Sequence, residues 1–106
     1  MSDSFRRFEI LLPRRFNDGR ATPDELLADT LLELRTQFGA ISSETQSILG
    51  QWLQEDQLYR DELVRIFVDV PDTSDNMDFF TDYKETLKTR FDQRDIWITT
   101  YLVEVL

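Results

Sequence analysis

Cysteine and histidine are both missing from this chain of 106 residues. Without cysteine there is no disulfide and no thiolate nucleophile. Without histidine there is no Ser-His-Asp or Cys-His catalysis, and the usual ligands for zinc and haem are gone. Catalysis by the chain itself would fall to Asp, Glu, Tyr, Lys or Arg, or to a borrowed group. These absences weigh against an enzyme. No catalytic residue, no metal and no cofactor is expected. Long apolar runs are missing too, since none approaches the roughly 18–20 residues that cross a bilayer. The start, Met1-Ser2-Asp3-Ser4-Phe5-Arg6-Arg7, has no apolar stretch behind its arginines and does not read as a secretory signal. No membrane partner is expected, and the cytoplasm is the expected location. There is no internal repeat and no low-complexity linker.

Positive charge is also short. Twelve Lys and Arg face 21 Asp and Glu, for a net charge of −9. Phosphate contacts supply much of the affinity of nucleic-acid binders, so a chain of this sign is not expected to bind nucleic acid. The charge is uneven. Residues 1–21 carry a net +2 and the remainder −11. A basic start on an acidic body could pair head to tail with another copy, or the charges could simply be scattered over the surface.

What is present is the material of an ordered fold. Hydrophobic residues make up 41% and aromatics 12%, enough for one domain, 1–106, around one core. Phe8, Ile10 and Leu12 alternate with Arg7, Glu9 and Leu11, so Phe5 to Leu12 reads as a strand ended by Pro13. Thr22-Pro23-Asp24-Glu25 reads as a capping box with Thr22 at the N-cap. Leu27, Leu31, Leu34 and Phe38 then form a helical stripe that Gly39 stops. Ala40 to Gln54 reads as one long, irregular edge strand with a polar stretch from Ile41 to Thr45, a bulge at Gly50 and a turn at Glu55-Asp56-Gln57. Tyr59 to Val70 is rich in β-branched residues and reads as a central strand. A second helix runs from about Asp75 to Phe91, with Phe80, Tyr83 or Lys84, Leu87 and Phe91 on its stripe. Its acidic start and basic end suit the helix dipole. Ile96 to Leu106 is apolar on both faces and reads as a strand covered on both sides.

The order strand, helix, strand, strand, helix, strand predicts an α+β domain of the ferredoxin-like split βαβ kind (βαββαβ). The expected form is a four-stranded antiparallel sheet with two helices on one face. Two helices cover one face only. The other would carry Phe67, with either Trp97 and Tyr101 or Ile98 and Leu102. A contiguous apolar patch of this kind marks an interface, here most simply with a second copy, otherwise with another protein. Phe67, Trp97 and Tyr101 are the predicted anchors. Trp52 is placed in the core, with a place beside them as the alternative.

Arg14, Arg15 and Arg20 flank the turn Asn17-Asp18-Gly19 ahead of the first helix. Arginines near a helix N-terminus can hold an anion, with Asn17 adding a polar contact. The position invites comparison with acylphosphatases, but their glycine-rich cradle is missing and Pro23 removes an N–H. A structural turn with solvated arginines is the plainer reading. Asp72, Asp75, Asp78 and Asp82 have helical spacing and no glycine among them, which suits a helix dipole rather than calcium. Asp61 and Glu62 are strand neighbours and point to opposite faces, which argues against joint acid–base work.

With the elements in place, Phe8-Glu9-Ile10, Phe16-Asn17-Asp18-Gly19, Phe38-Gly39, Gly50-Gln51-Trp52, Tyr59-Arg60-Asp61-Glu62, Tyr83-Lys84, Arg90-Phe91-x-Gln93 and Val103-Glu104-Val105-Leu106 resemble a set of uncharacterised bacterial proteins of about this length. The resemblance covers nearly the whole chain. It implies a free-standing bacterial domain and carries over no functional residue.

The function expected from the sequence is that of a small acidic interaction or regulatory module, self-associating as a dimer through its open sheet face. One alternative is an enzyme or sensor that binds a small molecule or anion in a dimer-enclosed cavity or at the arginine loop. A further one is a regulator that neutralises a basic partner as a nucleic-acid mimic would.

Overall fold

The structure is a computed structural model that describes residues 4–44 and 46–106. Its elements run β1 (Phe5–Pro13), α1 (Asp24–Phe38), β2 (Ser42–Ser43), β3 (Ile48–Gln54), β4 (Gln57–Pro71), α2 (Ser74–Arg90) and β5 (Trp97–Val103). All strand pairs are antiparallel. β4 and β1 are central, β5 forms one edge, and β2 and β3 share the other edge by pairing with successive parts of β4.

The fold is therefore ferredoxin-like, with five strands in place of the expected four. The extra strand comes from a break in the expected long edge strand. Ser42 and Ser43 pair with Phe67 and Ile66, the Glu44 amide still donates to the Arg65 carbonyl at 3.0 Å, and strand pairing is found again at Ile48 opposite Leu63. Thr45, in the expected polar strand, lies outside the described residues. Gly50 is not a bulge. It stays in register opposite Asp61, and a Cβ placed there would meet Leu63 Cδ1 at 3.1 Å. The absent side chain leaves room for a neighbouring leucine.

The core lies between the sheet and the two helices. Phe8, Ile10 and Leu12 of β1 and Val64, Ile66, Val68 and Val70 of β4 meet Leu34 of α1 and Phe80, Tyr83 and Leu87 of α2, with Phe91 closing one end. Phe8 and Phe38 both stack on Phe80. Both helical stripes face the sheet where the heptad-like spacing placed them.

The helix ends depart from expectation in one place. α1 is preceded by Pro23, which offers no side-chain cap. Thr22 does not cap the helix, because its hydroxyl donates back to the Pro13 carbonyl at 3.3 Å and ties the loop to β1. Gly39 does end α1 in the left-handed region at φ 82°. Thr73 caps α2 by accepting from the Asn76 amide at 3.2 Å.

β5 also corrects an expectation. It is an edge strand, not one covered on both sides. Ile96 is buried and Ile98 packs against the core, whereas Trp97, Tyr101 and Leu102 stand exposed. The strand ends at Val103 instead of running on to Leu106.

Candidate functional site

Strand alternation fixes what the helix-free face of the sheet displays. On β1 it presents Arg7, Glu9 and Leu11. Arg7 lies between Asp69 and Tyr101, Glu9 between Phe67 and Thr99, and Leu11 between Arg65 and Trp97. The three predicted anchors, Phe67, Trp97 and Tyr101, thus share this open face. They differ in how much of each is free. Trp97 is 63% exposed and Tyr101 45%. Phe67 is half-buried, with the Arg7 and Arg65 guanidinium groups lying over its ring at 4.6 and 4.5 Å.

Those two arginines are themselves held. Arg7 forms a two-pronged pair with Asp69 at 2.8 and 3.0 Å. Arg65 bridges Glu9 and Glu44, each at 2.5 Å, and the Tyr101 hydroxyl donates to the same Glu9 oxygen at 2.7 Å. The Arg65 hydrogen bond, then that of Tyr101, holds the Glu9 carboxyl below the usual glutamate value. Arg7 does the same to Asp69. The centre of the face is therefore a satisfied ionic ladder around one ring, flanked by free aromatics. This differs from the wholly apolar patch that the sequence suggested.

Trp52 corrects a second expectation. It is not in the core. It stacks on Tyr59 with ring centroids 5.4 Å apart, out on the β3–β4 hairpin and on the open side of the sheet.

The arginine loop forms a separate place. Arg14 donates to Ser47 Oγ and Arg15 to the Gly19 carbonyl, both at 3.1 Å. Arg20 pairs with Asp18 at 2.6 Å and lies over the Phe16 ring. Arg14 and Arg15 line a cleft of about 350 Å³, together with Asp24, Glu44, Glu62 and an apolar floor that includes Leu12 and Phe91. Asn17 and Arg20 lie outside it. The four predicted anion ligands do not converge: Arg14 and Arg15 share the cleft with the acidic residues Asp24 and Glu62, while the carboxylate of Glu44 is already paired with Arg65 on the open side of the sheet. Burial raises the Asp61 carboxyl, but it faces Gly50 on the open side while Glu62 turns to the other. Among the described residues no three acidic groups gather as metal ligands would.

Sequence reasoning missed the Glu9–Arg65–Glu44 bridge and the cleft walls contributed by Asp24, Glu62 and Phe91. A signal existed for the bridge. Arg7, Glu9, Arg65 and Asp69 all occupy alternate positions that strand periodicity sends to one face.

No family model and no curated protein matches the chain, in keeping with an uncharacterised family. Solved structures do share its fold. A phage SAM lyase in complex with S-methyl-5'-thioadenosine superposes with a TM-score of 0.68 at 12% identity, covering 99% of this chain and 92% of that one. The divalent ion tolerance protein CutA1 from Ehrlichia chaffeensis gives 0.64 at 9% identity, over 100% and 87%. A Bacillus cereus protein related to NIF3 gives 0.63 at 12% identity; the match spans 99% of this chain and 27% of that one. At such identities the likeness shows the fold alone.

Proposed function

We propose that this chain is a small acidic interaction module, acting in the cytoplasm, that self-associates through the open face of its sheet. The observation that supports the reading is the face itself. Among the described residues no helix lies on it, and it presents Trp97 and Tyr101 to solvent beside a ladder of ion pairs already satisfied within the chain. Aromatic side chains at the rim of a rigid, internally paired surface supply buried area at small entropic cost. The satisfied ladder means that few charges need a new partner when the face is covered. Trp97→Ala combined with Tyr101→Ala is expected to reduce the solution mass to that of one chain. An unchanged mass would refute the reading.

A second reading is favoured by the cleft at the arginine loop. Its volume of about 350 Å³ suits a metabolite, and it brings Arg14 and Arg15 together with Asp24 and Glu62 around apolar residues that include Leu12 and Phe91. Such a site would take a small molecule with an apolar body and polar edges, or an anion held by the two arginines. S-methyl-5'-thioadenosine, the molecule held by one structural neighbour, and inorganic phosphate are the first two probes. A rise in melting temperature with either, lost in Arg15→Ala, would support a ligand site. No shift with the nucleoside and none with phosphate would leave the interaction module as the better reading.

A further inference from the structure

Exposed apolar side chains are not spread evenly over the molecule. Leu49, Trp52, Leu53, Leu58 and Tyr59 lie on the β3–β4 hairpin, and Trp97, Tyr101, Leu102, Val105 and Leu106 lie on β5 and the segment after it. These are the two opposite edges of one sheet. Each edge strand has seven residues, Ile48–Gln54 and Trp97–Val103, and neither holds a single charge or proline. The central strands β1 and β4 carry several charges, in a chain that is 31% charged overall. Natural sheets normally guard an exposed edge with lysine, proline or an inward charge. Both edges here are unguarded, and among the described residues the outer side of each pairs with nothing.

The hairpin also lacks support within its own chain. Every residue from 51 to 60 is exposed, and a two-stranded ribbon is marginal in water by itself. The radius of gyration is 14.8 Å, where about 13 Å is usual for this length. The accessible surface of 7512 Å² exceeds by roughly 1,300 Å² that of a compact monomer of this mass. A stable interface removes about 800 Å² from each partner.

We propose that β3 of one copy pairs edge to edge with β5 of a second copy, so that the sheet continues from one subunit into the next. This rests on the self-association argued above but assigns it a different surface. The two edges suit each other on both sides. On the open side Trp52 and Tyr59 would meet Trp97 and Tyr101; on the helix side Leu49, Leu53 and Leu58 would meet Leu102. The contact is head to tail, so it leaves one free β3 and one free β5 until a ring closes.

Leu53 and Leu102 are 73% and 60% exposed, and alternation puts both on the helix side of the sheet. Packing of two open faces would leave them untouched, whereas edge pairing buries them. Light scattering on Leu53→Asp and Leu102→Asp, each checked for a native circular-dichroism spectrum, tests the contact. Each variant alone should have the mass of one chain. An equimolar mixture should recover the mass of two, because one variant keeps an intact β5 and the other an intact β3. Either variant keeping the wild-type mass, or a mixture that stays at one chain where the wild type is assembled, would overturn edge pairing. Phe67→Ala separates the two surfaces. If it alone dissociates the protein, the open face is the contact and the edges are not. If only the leucine variants dissociate it, the edges hold and the open-face reading fails.

Discussion

At the residue scale, the chain spends its charges on one another. Glu9 accepts from both Arg65 and Tyr101, and its carboxyl lies below its ordinary value as a result. A group whose pKa is depressed by folding contributes stability above its unfolded value, about 4.3 for glutamate, and loses it as the pH falls through the folded value. Glu9→Gln is therefore expected to melt below the wild type at pH 7, and the two should converge as the pH falls below the unfolded glutamate value and through the lower folded one. Parallel melting curves from pH 7 to pH 3 would contradict that role. Thr30 carries a second residue-scale expectation. It is buried in α1, donates to the Leu26 carbonyl at 2.8 Å and accepts from Arg90 Nη1 at 2.9 Å. Arg90 in turn pairs with Glu33. Thr30→Val keeps the shape and removes the acceptor, which should cost about 1–3 kcal/mol in a urea titration. Thr30→Ser should cost much less. Strand periodicity puts Glu9 and Arg65 on one face, but their pairing depends on strand register, and the meeting of Thr30 with Arg90 depends on helix packing; each joins residues more than 50 positions apart.

At the element scale, the sequence was most legible where local chemistry decides the outcome. Gly39 reads as a helix stop because only glycine takes φ 82° without strain, and no atom lies within 4 Å of a Cβ placed there. Gly39→Ala should thus cost about 1–2 kcal/mol from the backbone alone, read by thermal unfolding. A cost near zero would mean that the helix end relaxes. The sequence was less legible where tertiary contacts compete with local ones. Thr22 has every feature of an N-cap, yet α1 starts one residue later than that motif places it, with Pro23 extended at the cap position, and the Thr22 hydroxyl donates back to the Pro13 carbonyl instead. The tight turn at Glu55 and Asp56 puts two non-glycine residues at φ 52° and 65°. Hairpin geometry imposed that conformation against their own preference. The break between β2 and β3 lies in a stretch of Ser, Glu, Thr and Gln that is polar in either conformation, so periodicity alone could not place it.

At the scale of the whole molecule, the order of elements predicted the fold because two helical stripes and their alternating strands admit few compact arrangements. The candidate surface was legible in part. Alternation sent Phe67, Trp97 and Tyr101 to one face, but the clamp of two arginines over Phe67 and the exposed position of β5 emerge only once the strands are ordered. The same ordering reveals a single chain with an unsupported hairpin, an uncharged strand at each edge and aromatic side chains in water. All three are liabilities in a monomer and assets in an assembly. The most direct test of that account is the solution mass of the wild-type chain, by size-exclusion chromatography with light scattering, at low and high salt. The account predicts an assembly of two or more chains that persists in high salt, because the surfaces it buries are apolar. A mass of 12.6 kDa in both buffers, at concentrations up to those of a stable dimer's purification, would contradict it.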